Sequence, residues 1–364
     1  MHIVAFDIPY PPNYGGVIDI YYKLKALKKC GLQIILHCFS KNRQPADELS
    51  NLCKQVHYYQ REMNPYLVFS KKPFIVCSRK KPSLLDILLR DNHPVLFEGL
   101  HTTYFLKALK KAGKKCFVRT HNVEHHYYRN LAEAERSVFR REFFKIEARK
   151  LKKYEPVLAE ANGLIAISEE DENYFKEINE STVYIPPFHP EPHALESDSE
   201  EKYALYHGNL EVAENKRAVE FLLNQVLSGL EIKLVIAGKG ARSLSKSHND
   251  RNVVFIESPT ESEMLKWASE ASMHLLPTFQ STGFKLKLLY SIYTAKSIVA
   301  NDEMIRGTGM ESAVTLANSQ TEWKDSIQSI LKNSESQPII SRMKELRDEI
   351  SNAALAEKLI RFLR

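Results

Sequence analysis

The sequence predicts an α/β fold with two domains, each built on a parallel β-sheet flanked by helices. Short apolar runs alternate with amphipathic stretches through the first half of the chain, a pattern typical of β-α-β units. A proline-rich segment, VYIPPFHPEPHALESDSEE, interrupts the pattern at 183–201. The alternation begins again at Tyr203 and continues to about residue 300. The repetition predicts two Rossmann-like domains with a ligand site in the cleft between them.

Each predicted strand is a short apolar run bounded by turn residues, and each predicted helix has apolar residues at helical spacing. The first helix, for example, carries Val17, Ile20 and Leu24 on one face and ends at Gly31. The predicted strands are 2–7, 32–40, 56–60, 94–100, 116–122, 163–168, 203–209, 232–238, 252–258, 273–279 and 297–301. The predicted helices are 17–30, 66–90 (loosely patterned), 107–115, 131–162 (one helix or a pair broken near Pro156), 215–228, 262–271, 283–295, 321–333 and 340–363.

The domain boundary follows from composition. Prolines stiffen the segment after 183, and the acidic and serine residues behind them are typical of a linker. We therefore expect an N-terminal domain at 1–188, a linker at 189–202, a C-terminal domain at 203–339 and a C-terminal helix at 340–364.

Length and composition limit the class of protein. The chain has 364 residues, of which 43% are apolar and 26% are charged, as in ordinary globular proteins. No apolar run reaches the roughly 18 residues that a bilayer-spanning helix needs, and the N-terminus lacks the pattern of a signal peptide. Five scattered cysteines without a C-x-x-C pair predict reduced thiols in the cytoplasm; they are Cys30, Cys38, Cys53, Cys77 and Cys116.

Charge is distributed unevenly along the chain. Residues 1–188 carry 30 Lys and Arg against 21 Asp and Glu, whereas residues 189–364 carry 21 against 24. The basic half is compatible with solvated helix faces, such as KALKKAGKK at 107–115, and with binding to an anionic membrane or a phosphorylated acceptor. Nucleic acid is disfavoured as a partner because the basic residues are dispersed and no aromatic platform is interleaved with them.

Two glycine-bearing loops precede helices. PPNYGG places Gly15 and Gly16 directly before the first helix, where they allow either close approach to a phosphate or sugar, or simply a tight turn. The second loop, QSTG, opens the helix that carries Lys285 and Lys287. Because the start of a helix is electropositive, two lysines there predict an anion such as a pyrophosphate.

These loops carry a resemblance to a known family. The P-x-x-G-G loop, the RTHN segment at 119–122 and the segment LLPTFQSTGFKLKLLYSIYTAKSIVAND at 275–302 resemble the group 1, or family 4, glycosyltransferases of the GT-B fold. In that family a histidine after the corresponding strand faces the donor sugar, and His121 matches it. The resemblance therefore implies a catalytic role for His121. It also implies that Lys287 and Lys285 act in catalysis, as the cations that neutralise the leaving group.

The resemblance also implies a set of donor-binding residues. Gly208 and Asn215 fit the glycine and asparagine of the family's loop after the first strand of the second domain, and Asn209 stands where an arginine is found in other members. Together with the N-terminal loop, the expected donor-binding set is Gly15, Gly16, Gly208, Asn209, Asn215, Thr282, Gly283, Phe284 and Tyr290.

The chain departs from the family at one informative place. The family has a glutamate pair, E-x7-E, and the alignment places Thr282 and Tyr290 at the two positions. A carboxylate accepts two hydroxyl protons of a ribose at once, whereas a phenol has one oxygen and no charge. Either the ribose is held differently, or the donor deviates, or the activity is reduced.

The function that the resemblance implies is transfer of a sugar, as in a hexosyltransferase, from a nucleotide-sugar donor to a lipid-linked or saccharide acceptor in polysaccharide biosynthesis. It further implies retention of configuration at the anomeric carbon, no metal or other cofactor, and a helix at the C-terminus that packs back towards the N-terminal domain. The expected location is the cytoplasm, with peripheral contact to the inner face of the cell membrane.

Three alternatives remain open at this stage. A degenerate GT-B protein would bind a sugar nucleotide without catalysis, and Tyr290 favours that hypothesis. A sugar-nucleotide epimerase would need carboxylates for acid–base chemistry, for which Asp7, Asp19 and Glu98 are candidates. A zinc hydrolase is suggested by HNVEH at 121–125, formally an H-x-x-E-H pattern, although its first histidine falls on a strand end.

Overall fold

The computed structural model describes residues 1–195, 202–245, 251–279, 283–332 and 337–364. The chain forms two compact units. Unit 1 comprises Met1–His189 and Asn352–Arg364, together with Gly283 and Phe284. Unit 2 comprises the other described residues between Pro190 and Ser351.

Unit 1 is built on a seven-stranded sheet in which every pair of neighbours is parallel. Its strands are β1 (His2–Ala5), β2 (Ile35–Ser40), β3 (Gln55–Gln60), β4 (Val95–Glu98), β5 (Cys116–Thr120), β6 (Gly163–Ala166) and β7 (Thr182–Tyr184). Their order across the sheet is β3-β2-β1-β4-β5-β6-β7. Six of these strands coincide with predicted apolar runs. The seventh was missed because it has only three residues and directly precedes the prolines.

Helices surround this sheet. They are α1 (Gly15–Lys29), α2 (Asp47–Ser50), α3 (Phe74–Cys77), α4 (Pro82–Leu88), α5 (Leu106–Lys111), α6 (Glu124–Ala134), α7 (Val138–Tyr154) and α8 (Glu169–Lys176), with 3-10 helices at Pro65–Phe69, Leu100–Phe105 and Glu155–Glu160. The long charged helix predicted at 131–162 is wrong in its bounds. The break lies at 135–137, between α6 and α7, and Pro156 stands in the first turn of a 3-10 helix.

Unit 2 repeats the architecture with six parallel strands. They are β8 (Tyr203–His207), β9 (Lys233–Gly238), β10 (Val253–Glu257), β11 (Met273–Leu276), β12 (Ile298–Ala300) and β13 (Thr315–Leu316). The order β10-β9-β8-β11-β12-β13 is the same Rossmann order as in unit 1. The prediction of two Rossmann-like domains with parallel sheets is therefore confirmed. In both sheets the strand order reverses beside the first strand, and ligands of such sheets bind at the carboxyl ends of the strands there.

The helices of unit 2 are α9 (Ala213–Phe221), α10 (Ala241–Ser245), α11 (Glu261–Glu270), α12 (Leu286–Thr294), α13 (Asp302–Ile305), α14 (Gln320–Leu331) and α15 (Gln337–Glu349), with a π-helical turn at Leu222–Val226 and a 3-10 turn at Glu311–Ala313. The final helix, α16 (Asn352–Leu363), belongs to unit 1. Among the described residues, none of the helices combines the length and apolarity that crossing a bilayer requires.

The predicted single helix at 340–363 is two helices. Met343 and Leu346 of α15 are buried in unit 2, whereas Leu355 and Leu359 of α16 are buried in unit 1, where α16 packs against α1. Asn352, at the start of α16, donates a hydrogen bond to the carbonyl of His189 at 2.8 Å. One straight helix cannot serve two separate cores, so the chain breaks between Glu349 and Asn352.

Candidate functional site

The carboxyl ends of β8 and β11 lie side by side at the point where the strand order of unit 2 reverses. The chain leaves β8 through Gly208 and Asn209 before α9 begins at Ala213. It leaves β11 towards α12, which begins at Leu286. Tyr206, Asn215 and Lys287 therefore reach the same place from a strand and two helices.

Lys287 is the centre of this group. Its Nζ donates to Asn215 Oδ1 at 2.7 Å and to the Tyr206 hydroxyl at 3.0 Å, and it lies 4.7 Å from the centroid of the Tyr206 ring. Burial lowers the pKa of Lys287 to about 8, Glu214 acts in the opposite direction, and Lys285 lowers the pKa further. Among the described residues no carboxylate forms an ion pair with Lys287. The ammonium is held by two uncharged oxygens and can receive an anion.

Glu214 is the carboxylate near Lys287, but its hydrogen bonds are made to other residues. One of its oxygens, Oε1, accepts hydrogen bonds from the Thr278 hydroxyl at 2.9 Å and from the backbone N–H of Phe279 at 2.6 Å. These bonds tie the start of α9 to the segment that follows β11. Glu214 therefore orients the loop and leaves Lys287 without a direct counter-ion.

Gly208 packs tightly against the same group. A Cβ atom at this position would lie 3.3 Å from Asn215 Nδ2 and 3.4 Å from Lys287 Nζ. Asn215 Nδ2 donates to the carbonyl of Asn209 at 2.8 Å, which fixes the amide with its oxygen towards Lys287. Gly208, Asn209, Asn215 and Lys287, which the sequence analysis assigned to donor binding and leaving-group charge, are thus brought together.

The QSTG turn is only partly described. Thr282 lies outside the described residues. Gly283 adopts a left-handed backbone conformation, with φ of 76°, a conformation that favours glycine. The helix begins at Leu286 and not at 283, because Lys285 has extended backbone angles and occupies the N-cap position. Phe284 lies in the same non-helical stretch, so the two lysines stand one before and one inside the helix.

Tyr290 is a packing residue. Its ring lies 5.2 Å from the ring of His207, and it packs on a buried cluster that includes Tyr203 and Leu205. Burial raises the pKa of Tyr290 to about 12. The position where the family has a carboxylate is here filled by an aromatic ring against an apolar surface.

The G-x-G loop after β9 holds a carboxylate of its own chain. Glu257 accepts hydrogen bonds from the backbone N–H of Gly240 at 2.9 Å and of Arg242 at 2.8 Å. These N–H groups lower the pKa of Glu257 to about 2. They are satisfied by Glu257 and are not presented to a ligand.

In unit 1, the loop after β1 leads into α1 at Gly15. A Cβ atom at Gly16 would lie 2.5 Å from the Phe6 ring, so the glycine is required for the ring to pack there. The Tyr14 hydroxyl donates to Asp7 at 2.8 Å. Packing of Phe6 accounts for Gly16, and the structure shows no contact that assigns Gly15 a role.

His121 lies directly after β5 and is mostly buried. Its Nε2 is 3.0 Å from Glu98 Oε2, and its ring contacts Phe6 edge-on with 5.2 Å between centroids. Glu98 thereby fixes the orientation of the imidazole at the carboxyl edge of the sheet.

A buried ion-pair network lies behind His121. Arg119 donates to both oxygens of Asp19, at 2.6 and 3.0 Å, and Lys23 donates to Asp19 at 3.2 Å and to Glu98 at 3.0 Å. These cations and His121 hold the pKa values of Asp19 and Glu98 below the usual range against the opposing effect of burial. No sequence motif predicted this role for Lys23 and Arg119, although a charged residue inside the apolar patterns of α1 and β5 is a usable signal.

The network also bears on two questions: whether its side chains hold a metal ion, and whether the protein is an epimerase. Asp19, Glu98 and His121 are close enough to form a metal-ligating group, but the two carboxylates are already neutralised by Lys23 and Arg119. Carboxylates held in ion pairs are poor general acids, so the acid–base roles considered for Asp19 and Glu98 in an epimerase are not supported. Asp7 is engaged with the Tyr14 hydroxyl.

The H-x-x-E-H pattern does not form a zinc site. His121 Nε2 is directed to Glu98, whereas His125 Nδ1 lies 3.4 Å from Glu155 Oε2. Within the described part of the chain no group of three candidate ligands contains both histidines. The two histidines are directed apart because His121 lies directly after strand β5, whereas His125 lies on helix α6. Glu124, between them, is buried, and burial raises its pKa to about 8.

The sequence comparisons found one curated relative. No family model matches the chain. An uncharacterized 44.6 kDa protein in the cps region of Klebsiella pneumoniae is 27% identical over 373 residues, covering 94% of this chain and 92% of that protein.

Solved structures show the fold. Sucrose-phosphate synthase from Thermosynechococcus elongatus superposes with a TM-score of 0.68 at 14% identity, covering 99% of this chain and 98% of its own. HepE from Anabaena, in complex with UDP and glucose, gives 0.66 at 11% identity, covering 100% and 99%. WaaG, a glycosyltransferase involved in lipopolysaccharide biosynthesis, gives 0.64 at 13% identity with the same coverage. The fold is GT-B. The resemblance to GT-B glycosyltransferases is therefore confirmed at the level of the fold.

Proposed function

We propose that the protein is a glycosyltransferase that moves a sugar from a nucleotide-sugar donor to a saccharide or lipid-linked acceptor. The observation that carries this proposal is the Lys287 ammonium at the strand-order reversal of unit 2, which donates to the oxygens of Tyr206 and Asn215 and has no carboxylate partner among the described residues. The complex of HepE with UDP and glucose and the role of WaaG as a glycosyltransferase of lipopolysaccharide biosynthesis support the same class of reaction. The relative in a cps region is consistent with polysaccharide biosynthesis.

In this proposal unit 2 binds the donor. The pyrophosphate accepts hydrogen bonds from Lys287 and lies at the N-terminus of α12, whose helix dipole favours an anion. As the bond between the anomeric carbon and the phosphate oxygen breaks, negative charge grows on the leaving diphosphate and Lys287 stabilises it. A charge-assisted hydrogen bond contributes about 1.5–3 kcal/mol, and this stabilisation needs no metal ion.

Unit 1 binds the acceptor in this proposal, and His121 has a catalytic role. We propose retention of configuration at the anomeric carbon, action in the cytoplasm, and peripheral contact with an anionic membrane. The high basic charge of residues 1–188 supports the membrane contact, and the fixed orientation of His121 by Glu98 supports the role of this histidine.

The test is a binding measurement with purified protein by calorimetry, using UDP, GDP, ADP and CMP with and without EDTA. We expect one nucleotide to bind regardless of EDTA, and Lys287→Met to weaken that binding roughly 10- to 150-fold. Lys296→Met is the matched control, because Lys296 is exposed beyond the other end of the same helix. Equal affinities of wild type and Lys287→Met would contradict the assignment.

A non-catalytic, sugar-nucleotide-binding protein is the second candidate, and one observation favours it. Tyr290 packs against His207 at the position where the family has a carboxylate for the ribose. The nucleotide that binds in the calorimetric test defines a set of nucleotide-sugars to try as donors. Release of nucleotide from these donors, measured with and without cell-membrane extracts as acceptor, distinguishes the two candidates. An active enzyme should not gain activity from Tyr290→Glu, whereas a protein that binds its nucleotide without turnover, and gains turnover on Tyr290→Glu, would establish the second candidate.

A further inference from the structure

A histidine cluster lies at the amino edge of the sheet of unit 1, the opposite edge from His121. His2 is the first residue of β1, and Asp91 and His93 stand just before β4 begins at Val95. His37, on β2, lies beside His2 with a centroid distance of 5.2 Å between the rings. Neither the donor site nor the acceptor assignment uses these residues.

The two oxygens of Asp91 have different surroundings. Oδ2 lies 3.0 Å from His2 Nε2 and 3.0 Å from His93 Nδ1. Oδ1 accepts hydrogen bonds from the backbone N–H of His93 at 2.9 Å and from Lys114 Nζ at 3.1 Å, and it also lies 3.1 Å from His2 Nε2. Oδ2 thus faces both imidazole nitrogens, whereas Oδ1 faces His2 and is anchored by the two N–H donors. The three candidate ligand atoms all lie within 4.8 Å of one another.

A second layer of hydrogen bonds supports the inner histidine. His2 Nδ1 is 3.0 Å from His37 Nε2, and His37 Nδ1 is 3.0 Å from the Tyr59 hydroxyl. His2 and His37 are fully buried, so these contacts fix both ring orientations. Metal-ligating histidines characteristically have their second nitrogen held in this way.

We propose that His2 Nε2, Asp91 Oδ2 and His93 Nδ1 bind a divalent transition-metal ion of the zinc type. Two imidazoles and one carboxylate suit Zn²⁺, Co²⁺ or Ni²⁺ and do not suit Mg²⁺ or Ca²⁺, which prefer oxygen ligands. The side chain of His93 is 58% exposed and that of Asp91 is 29% exposed, so the ion can enter and keep water as a further ligand.

With the ion bound, His2 Nε2 and His93 Nδ1 would carry no proton, and each neutral imidazole would keep its single proton on its other nitrogen. His2 Nδ1 would then donate to His37 Nε2, and His37 Nδ1 would donate to the Tyr59 hydroxyl. Lys114 stays on Oδ1 and reduces the affinity by repulsion, so we expect micromolar binding rather than tighter. Because the ligands join the start of β1 to the segment before β4, the site is structural and independent of the proposed transfer reaction.

The test uses untagged, full-length protein stripped of metal. Titration with Co²⁺ is followed by its visible absorption, and Zn²⁺ is then added to displace the Co²⁺. We expect one Co²⁺ per chain, a visible spectrum of a nitrogen- and oxygen-ligated ion, and a rise in melting temperature with Zn²⁺. His93→Ala, an exposed position that the fold tolerates, should weaken Co²⁺ binding by at least tenfold and abolish the thermal shift.

His126→Ala serves as the control, since His126 is an exposed histidine on α6 outside the cluster. Tyr59→Phe removes only the outer hydrogen bond and should cause a smaller loss than His93→Ala. The proposal is overturned if Co²⁺ does not bind stoichiometrically, or if His93→Ala binds Co²⁺ like the wild type. Either result would leave the cluster as a set of ion pairs around Asp91.

Discussion

Two cations, the fully buried Arg119 and the partly buried Lys287, have opposite surroundings. Arg119 is paired with both oxygens of Asp19, whereas Lys287 donates to the neutral oxygens of Tyr206 and Asn215 and pairs with no carboxylate in the described part of the chain. A cation that is paired within the fold stabilises structure. A cation that is partly buried without a counter-ion costs stability and is available for an anionic ligand. This contrast supports a structural role for Arg119 and the binding role that we propose for Lys287.

Nucleotide affinity should depend on pH through Lys287. Burial lowers its pKa to about 8, so the nucleotide-free site loses its charge as pH rises through that value. We expect the affinity for the preferred nucleoside diphosphate to be flat below pH 8 and to fall up to about tenfold per pH unit above it. Calorimetry between pH 6.5 and pH 9.5 (about three units) measures this, and Lys287→Arg, always protonated, should flatten the profile. A flat wild-type profile would contradict the role.

The same pKa has a consequence for folding. Above pH 8 the unfolded chain holds more protons at this lysine than the folded chain does, because an unperturbed lysine titrates near 10.4. The contribution of Lys287 to stability therefore rises with pH between those two values and is constant below them.

Arg119→Met should destabilise unit 1 strongly. It leaves Asp19 buried with one of its two cations removed, and breaking a buried pair costs about 3–5 kcal/mol. Far-UV circular dichroism in urea measures the loss. Glu142→Ala is the comparison, because its ion pair with Lys145 is exposed and should not measurably affect stability. A similar midpoint for the two variants would show that the network is not stabilising.

At the scale of elements, helix α16 packs into a hydrophobic core whose other residues lie far from it in the sequence. Leu355 and Leu359 join a cluster with Ile3 and Leu24. The same helix leaves no room for a side chain at Gly163, at the start of β6, because a Cβ atom there would lie 2.5 Å from the Phe362 ring. The last helix is therefore part of unit 1 although α15, just before it, belongs to unit 2.

Leu359→Ala should lower the stability of unit 1 by about 2–5 kcal/mol, because it opens a cavity under a fully buried helix face. Urea unfolding followed by circular dichroism detects the change. Tryptophan fluorescence provides an internal reference, since Trp267 and Trp323 both lie in unit 2. Glu357→Ala, an exposed neighbour, should leave the midpoint unchanged. An unchanged midpoint for Leu359→Ala would mean that α16 is dispensable.

At the scale of the whole molecule, charge and exposed aromatic surface concentrate in the same half of the chain. Residues 1–188 have a net charge of +9 (30 basic minus 21 acidic residues). Phe69 is 84% exposed and Phe139, at the start of α7, is 90% exposed. Exposed aromatic rings beside basic residues suit an anionic bilayer surface, where each cation contributes about 1 kcal/mol.

We therefore expect the protein to sediment with vesicles that contain phosphatidylglycerol, to bind neutral phosphatidylcholine vesicles more weakly, and to be released by salt. Phe139→Asp should weaken binding, because it removes an inserting ring and adds repulsion. Leu89→Asp is the control, at another exposed apolar position of unit 1. Equal sedimentation of Phe139→Asp and wild type would argue against this surface.

Local patterns in the sequence were sufficient for most elements. Apolar runs such as HIVAFD predicted the strands, and glycines or prolines marked the turns. Elements that were missed or misplaced lacked such a pattern. β13 has only two residues, and the break between α15 and α16 occurs where both flanking segments are amphipathic. The residues of the proposed donor site came from the family resemblance, whereas Tyr206 and Glu214 carried no motif.

The sequence by itself determined the alternation of strands and helices, the division into two units and the loops that precede α1 and α12, because periodicity and turn residues act over a few positions. Only the tertiary structure decided which charges meet. Arg119 reaches Asp19 across 100 positions, and Lys287 reaches Asn215 across 72. These contacts depend on the order of strands in each sheet, which no local pattern encodes. They decide that Asp19 is neutralised and that Lys287 has no carboxylate partner among the residues that the structure describes.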